Sequence, residues 1–333
     1  MKQVAITGAN GFLGRQLVSS AMSQGLLARS LVRRHTDADK RMPDVCEMGD
    51  LGCDNLPPGL LDGCDIVIHG AARAHVLHET EGHPLSAFRR INTEGTLQLA
   101  QAAVSSGVRR FVFVSSIGVL GNHSLGRPFF ATDGHAPVED YAISKAEAEV
   151  ALADLAAHSP LEVIIVRPPL VHGPGAKGNF ARLLAAIAKQ RPMPLGGVRN
   201  RRSFIGVANL AQALVQAAVG TFPDHAFHQG KSRVAIYHVA DDGIISSRRL
   251  IEVLAEGLHV EPRLIDLPRW LVVGGASFFG KGAAARRLFA DLEVDDHDFR
   301  RDFAWRPRIG LEEGLRMMAQ DYLQRQQRIQ AGG

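Results

Sequence analysis

Tyr141 and Lys145 stand four positions apart in "YAISKAEAE", and a serine doublet, Ser115-Ser116, closes the apolar run "FVFVSS" upstream of them. On a helix this spacing puts a phenol and an ammonium one turn apart on one face, so the cation acts on the phenol through space. A free phenol titrates near pH 10, and bringing it to about 7 takes roughly 4 kcal/mol of preferential stabilisation of the phenolate. A nearby lysine and the positive ring of an oxidised nicotinamide can supply such a shift. Tyr141 then gives or takes a proton at a substrate oxygen, and a serine hydroxyl bonded to that oxygen orients it. A hydride moved in the same reaction has to come from a bound cofactor.

The chain opens with such a binding element. In "TGANGFLG" Gly8, Gly11 and Gly14 form a GxxGxxG pattern between an apolar strand and an amphipathic helix. Glycine suits these places because the turn is tight, the backbone approaches a pyrophosphate closely, and the helix start packs on the strand. Asn10, Phe12 and Leu13 complete the loop. An acidic residue that reads the ribose 2′-hydroxyl is expected about 20 residues later, at the end of the second strand. In "LARSLVRRHTD" that place holds Arg33, followed by Arg34. A carboxylate repels a 2′-phosphate, whereas guanidinium groups grip it through paired hydrogen bonds. The expected cofactor is therefore NADP(H), with NAD(H) the alternative; the plainer reading of the two arginines is a solvated loop.

These groups need a scaffold, and the hydrophobic rhythm supplies one. Strands are expected at Gln3–Thr7, Leu27–Val32, Val45–Met48, Asp65–His69, Arg110–Ser115, Leu161–Val166 and Ala235–Val239. Helices are expected at Phe12–Ser23, Ser86–Ser106, Tyr141–Ala157, Phe180–Gln190, Ser246–Leu258 and Leu311–Arg325, with Ser246 or Ser247 capping the fifth. Strands alternating with helices predict an α/β fold, a Rossmann-like doubly wound parallel sheet with a smaller C-terminal mixed α/β lobe. Residues 1–167 and 207–240 are assigned to the dinucleotide-binding domain, and 168–206 with 241–330 to a substrate lobe.

Composition narrows the partners. The chain has 333 residues, 46% of them hydrophobic, enough for a large core. Its formal charge of +4 is spread along the sequence, the local basic clusters being Arg33-Arg34 and Arg199-Asn200-Arg201-Arg202. That pattern suits small phosphorylated ligands and argues against nucleic acid. No run is apolar enough for a membrane span, and no cleavable leader is evident, so a cytoplasmic address is expected. Cys46, Cys53 and Cys64 read as reduced thiols, and no metal-ligand cluster stands out.

The glycine pattern and the Ser, Tyr and Lys triplet together resemble the extended short-chain dehydrogenase/reductases, the NAD-dependent epimerase/dehydratase family. The resemblance extends over nearly the whole chain. It implies that Asp50 and Leu51 meet the adenine, that Ala71 and Ala72 in "HGAARAH" line the cofactor, and that Asn92 with Gly95 in "INTEGT" match a further signature. It implies catalytic roles for Ser116, Tyr141 and Lys145, with Ser115 the weaker candidate, and places Pro168 and Leu170 near the nicotinamide. "RPPLVHGPG", "GNFARLL" and "PMPLGG" resemble segments of nucleotide-sugar members, which implies that Asn179 meets the diphosphate and Leu195 lies beside the uracil. Arg202 falls where related epimerases carry a phosphate-binding arginine. Asn179 as a helix cap and Arg202 as a surface charge are the plainer alternatives. Arg73, His75 and His123 could face the sugar. Dimers of the family form through two helices, here Ser86–Ser106 and Tyr141–Ala157, so a homodimer is expected.

Dehydratases of the family follow the active Ser or Thr with Asp-Glu, and here Ile117-Gly118 occupy those positions, which cannot transfer protons. Two reactions fit what is left. One is reduction of the C4 ketone of a UDP-4-keto-6-deoxy-N-acetylhexosamine by NADPH, as the resemblance to the bacterial O-antigen subgroup implies. The other is a UDP-hexose or UDP-N-acetylhexosamine 4-epimerase that retains NAD. Arg33-Arg34 favour the reductase, because an NADP preference suits a dissociable reductant. A non-catalytic dinucleotide sensor is the third possibility, and the joint presence of Ser116, Tyr141 and Lys145 argues against it.

Overall fold

The computed structural model describes residues 1–52, 55–74, 84–124, 126–223, 233–278 and 282–331. Cys53 and His75 lie outside the described residues. Seven strands build the main sheet: β1 (Gln3–Thr7), β2 (Leu27–Val32), β3 (Val45–Glu47), β4 (Ile66–His69), β5 (Arg110–Val114), β6 (Glu162–Arg167) and, after the short β7 (Leu170–His172) and β8 (Phe204–Gly206), β9 (Val234–His238). Their order is β3-β2-β1-β4-β5-β6-β9, and every neighbouring pair is parallel. The order reverses between β1 and β4, and the crevice at such a switch point is where this class of sheet binds ligands.

Both faces of the sheet are covered, as a parallel sheet requires. The helices are α1 (Phe12–Ser23), α2 (Pro84–Arg89), α3 (Gly95–Ser105), α4 (Asp140–Ala157), α5 (Asn179–Ala188), α6 (Val207–Val219), α7 (Ser247–Leu258), α8 (Arg269–Phe278), α9 (Gly282–Leu288), α10 (His297–Phe303) and α11 (Leu311–Ala331). Ile6, Ile68, Val112 and Ile164 face one way and pack with Leu17 of α1 and Leu214 of α6. Ala5, Val67, Phe111 and Ile165 face the other way, against Leu99 of α3 and Leu152 of α4. The single-residue alternation along each strand is the two-residue period of the pleat.

The helices differ from those expected in several places, α8, α9 and α10 among them. Helix α6 (Val207–Val219) was not anticipated: most of it is buried, and Gln212 and Gln216 are the polar residues on its less buried side, a weak mark of helical period. The helix expected over Ser86–Ser106 begins at Pro84, a residue suited to a first turn, and carries a π turn at Arg90–Glu94. Helix α11 runs past Arg325 to Ala331. Ser246 does cap α7, its hydroxyl accepting from Arg249 N at 3.0 Å.

The lobe has its own core, where Phe180, Leu184, Phe204, Leu254 and Leu315 meet. A buried polar knot joins it to the sheet. Asp241 accepts from Gly206 N at 2.9 Å and from Asn209 Nδ2 at 2.7 Å, and its Oδ2 lies 2.9 Å from His172 Nε2. Phe299 and Phe303 of α10 pack with Tyr237 of β9 and so belong to the sheet's core. As a division of the chain we propose 1–167 with 207–240 and 168–206 with 241–330; α10 makes the two units share one aromatic cluster.

Candidate active site

The loop between β1 and α1 has the shape a dinucleotide needs. Gly8 adopts φ +65°, and a Cβ there would lie 3.1 Å from Ala71 Cα. At Gly14 a Cβ would stand 2.0 Å from Gly8 O and 2.6 Å from Ala9 Cα, so the helix start touches the turn directly. The residues present therefore fit a pyrophosphate approached by bare backbone at a helix N-terminus. Phe12 and Leu13 begin α1, and Asn10 Nδ2 donates to Asp39 Oδ2 at 3.3 Å, tying the loop to the turn that follows β2. Thr7 Oγ1 takes Ala71 N at 3.1 Å and lies 2.7 Å from His69 Nδ1, which fixes the end of β4 against the same loop. Ala71 is half-buried and Ala72 exposed.

Arg33 and Arg34 are exposed just past the end of β2. Arg33 Nε stands 3.5 Å from Asp50 Oδ1. Asp50 and the buried Leu51 belong to a turn that presses on the start of α3, where a Cβ on Gly95 would lie 2.7 Å from Leu51 Cβ. Asn92 sits in the π turn, almost fully buried. Its Oδ1 accepts from Arg73 N at 2.8 Å, and its Nδ2 donates to Arg73 O at 3.1 Å and Ser144 Oγ at 3.0 Å. It thus holds the loop carrying Ala71 and Ala72 against α4.

Ser116, Tyr141 and Lys145 come together where β5 ends and α4 begins. Ser116 caps the short turn Ile117–Leu120, its Oγ accepting from Gly118 N at 3.1 Å. With that lone pair engaged, the hydroxyl proton is available to a ligand oxygen. Lys145 is buried; its Nζ donates to Val114 O at 2.9 Å and lies 4.4 Å from the centre of the Phe113 ring. Burial lowers its ammonium to about 7, against the opposing pull of the Glu149 carboxylate. Tyr141 is half-buried with its ring edge-on to Phe88 at 6.3 Å, and Arg73 lies over the other side of that cluster, 5.6 Å from the Phe88 centroid. Loss of water pushes the phenol up to about 12. Where a depressed phenol is expected from the spacing, burial in this fold holds the tyrosine protonated and it is the lysine that titrates near neutrality.

A buried network behind this triplet escaped the sequence reading. Glu149, one turn beyond Lys145 on α4, accepts from Ser115 Oγ at 2.5 Å and from Arg167 Nη2 at 2.6 Å, and its Oε2 lies 2.8 Å from His135 Nε2. Glu149 and Arg167 are each 2% exposed at the side chain. Ser115 is consumed by this network, which leaves Ser116 as the serine of the doublet whose hydroxyl proton has no carboxylate partner among the described residues. The signal was present as a glutamate at i+4 from the lysine and an arginine closing an otherwise apolar strand, a charge that burial obliges to find a partner.

The candidate substrate residues are more scattered. Pro168 is buried and its carbonyl accepts from Ile117 N at 3.0 Å, while Leu170 opens β7 with its side chain partly exposed. Asn179 is exposed in the first turn of α5, where Gly178 rather than Asn179 holds the cap position; its Oδ1 accepts from Arg182 Nη2 at 2.6 Å. Leu195 is buried in the lobe core. Arg202 donates from Nη1 to Arg287 O at 3.0 Å and Ala290 O at 3.3 Å, so part of its guanidinium braces the chain after α9. His123 is exposed.

Residues 4–225 match the family model described as the NAD dependent epimerase/dehydratase family. The chain belongs to that family. Among curated relatives of this epimerase/dehydratase chain, a UDP-glucose 4-epimerase of Vibrio cholerae is 36% identical over 97% of this chain and 96% of the relative. A ceramide reductase of Caulobacter vibrioides is 30% identical over 86% of this chain and 84% of its own length. The fold matches that of MoeE5 solved with UDP-glucuronic acid and NAD, with a TM-score of 0.75 and 24% identity over 97% of this chain and 99% of that one. It also matches RMD from Pseudomonas aeruginosa complexed with NADPH, with a TM-score of 0.68 and 22% identity over 97% and 100%. Both solved structures share this architecture; one holds NAD and the other NADPH.

Proposed function

We propose that this chain is a nucleotide-sugar oxidoreductase that reduces the C4 ketone of a UDP-4-keto-6-deoxy-N-acetylhexosamine with NADPH, a step in making sugars for bacterial surface polysaccharide such as O-antigen. The observation that carries the reading is Arg33 at the end of β2, a guanidinium where an NAD binder places a carboxylate, with Arg34 beside it. A reductase among the relatives and an NADPH complex among the structural matches agree with it.

The nicotinamide, when bound, supplies the hydride. The chain's own residues do the rest. Gly8, Asn10, Gly11, Phe12, Leu13 and Gly14 take the pyrophosphate, Arg33 and Arg34 the 2′-phosphate, Asp50 and Leu51 the adenine, and Ala71, Ala72, Pro168 and Leu170 border the nicotinamide ribose and ring. Asn92 keeps the Ala71 loop in place. Ser116 donates to the ketone oxygen and fixes its direction. Tyr141, held protonated by its surroundings, gives its proton to that oxygen as negative charge builds there. Lys145 sets the field around the phenol. Asn179 and Arg202 meet the diphosphate, Leu195 the uracil. Pairing of two copies through α3 and α4 belongs to the same reading; Val150 of α4 is 60% exposed and would be covered.

A second reading is 4-epimerisation with retained NAD, favoured by the Vibrio cholerae relative. Incubation with UDP-4-keto-6-deoxy-N-acetylglucosamine and NADPH, with product analysis, separates the two. NADPH oxidation matched by a 6-deoxy-N-acetylhexosamine product is expected. No NADPH consumption, together with interconversion of UDP-glucose and UDP-galactose or of their N-acetyl forms by the untreated enzyme, would replace the reductase with the epimerase.

A further inference from the structure

Helix α8 presents an apolar side outward. Trp270, Leu271 and Phe278 are 71%, 43% and 87% exposed, and no residue of α8 is buried. Ile265, Leu267 and Leu288 extend the surface before α8 and after it. Helix α9 packs against α8, so the two form one projecting pair. Apolar helices normally lie in cores, and an exposed apolar patch on a folded chain marks a surface that something covers.

Charge decides between possible covers. Among the described residues from 263 to 288, the basic ones are Arg263, Arg269, Arg286 and Arg287, and Asp266 is the only acidic one. A contact between two copies through α8 would bring two net-basic surfaces together, with Asp266 the one acidic residue among those described from 263 to 288 to offset the repulsion. An anionic headgroup layer attracts the same cations, takes Trp and Phe side chains at its boundary, and needs no matching surface. Ten residues of helix span about 15 Å, half of the roughly 30 Å bilayer core, so α8 can lie in the interface and cannot cross it. Among the described residues no helix is long and apolar enough to cross.

The pair is also bolted in place. Arg287 forms an ion pair with Glu139, Asn200 Nδ2 donates to Leu288 O at 3.1 Å and Ala290 O at 2.9 Å, and Ser247 Oγ donates to Leu288 O at 3.0 Å. These contacts anchor the end of α9, and α8 is held through its packing on α9. Glu139 precedes Tyr141 by two residues, so the Arg287 ion pair ties the end of α9 to the start of the helix that carries Tyr141.

We propose that the α8–α9 pair is an interfacial docking platform for an anionic phospholipid surface, which holds the entrance of the site beside the bilayer. The test is flotation of the full chain with vesicles of phosphatidylglycerol and phosphatidylcholine against vesicles of phosphatidylcholine alone. Trp305 is buried, so a change in tryptophan emission on binding reports Trp270. Binding to the anionic vesicles is expected, with a blue shift in emission and weakening by salt. Partitioning should fall at least about tenfold in Trp270→Ser/Phe278→Ser and, separately, in Arg269→Glu/Arg286→Glu. Both variants change exposed residues, so unaltered thermal unfolding and dinucleotide binding are expected and serve as the check on folding. Wild type that stays with the unbound fraction, variants that float like wild type, or a lipid-free dimer in which Trp270 is shielded from quencher would each overturn the proposal.

Discussion

Arg33 Nε and Asp50 Oδ1 face each other at 3.5 Å across the ends of β2 and β3, so the cation proposed for the 2′-phosphate is poised by the carboxylate proposed for the adenine. Arg33 is largely solvent-exposed, and the pair adds little to stability. Its value lies in aiming the guanidinium. Arg33→Asp is expected to lower kcat/KM for NADPH by about 10- to 100-fold, the worth of charge-assisted hydrogen bonds to a phosphate, and to raise that for NADH. Steady-state kinetics with both reductants check this, and unchanged NADPH use would assign the arginines to a solvated loop.

Lys145 titrates near 7, so its charge is lost as pH rises through neutrality, and Glu149 is the carboxylate that holds that value up. Glu149→Gln removes this support. The alkaline limb of the pH–rate profile is then expected to move to lower pH, while Arg167, deprived of its partner, costs the fold about 3 kcal/mol. Rate profiles and urea melts measured on one preparation separate the two effects. A limb that stays in place would confine Glu149 to packing.

Gly14→Ala would force a methyl to within 2.0 Å of Gly8 O, a backbone atom that cannot swing aside. A loss of about 3 kcal/mol or more is expected, together with loss of dinucleotide binding. Gly134→Ala, where a Cβ meets nothing within 4 Å, serves as the control and should stay within about 0.5 kcal/mol of wild type.

His69 is fully buried between Thr7 and Thr96, and burial lowers its imidazole to about 3; burial and the Arg167 charge lower His238 to about 4. Both values lie below the ordinary 6.5, so between them and 6.5 the unfolded chain binds more protons than the folded one. Stability therefore falls as pH drops from about 6.5 toward 4, by up to about 1.4 kcal/mol per pH unit for each histidine. Unfolding free energies at pH 7, 5.5 and 4.5 check the slope, and His69→Gln should flatten it by the share of one proton.

The sheet was legible because its strands are short and apolar, and because β1, β4, β5 and β6 are each followed by a helix with a polar side. Helix α6, mostly buried, offered only Gln212 and Gln216 as such contrast. The triplet was legible because Tyr141 and Lys145 share one helix at a fixed spacing. The Glu149 cluster was not, since it joins α4, β6 and the loop of His135, which are distant in sequence. Arg202 illustrates a further limit, because a basic residue placed for a phosphate also braces the carbonyls of Arg287 and Ala290 at the end of α9. Spacing names the residue; the carbonyl oxygens around it decide how much of its donor capacity is left.

The π turn at Arg90–Glu94 has a consequence for how the family's chains can vary. A π turn carries one more residue than the α-helical turn it replaces, and Asn92 occupies this one. Deleting a single residue there would let the helix wind regularly, and it would also rotate Asn92 by about 100° relative to one flanking segment, parting it from Arg73 or from Ser144. Length, as well as residue type, is thus under constraint at this point: a shortened helix with every side chain of the site intact would still release the loop that carries Ala71 and Ala72.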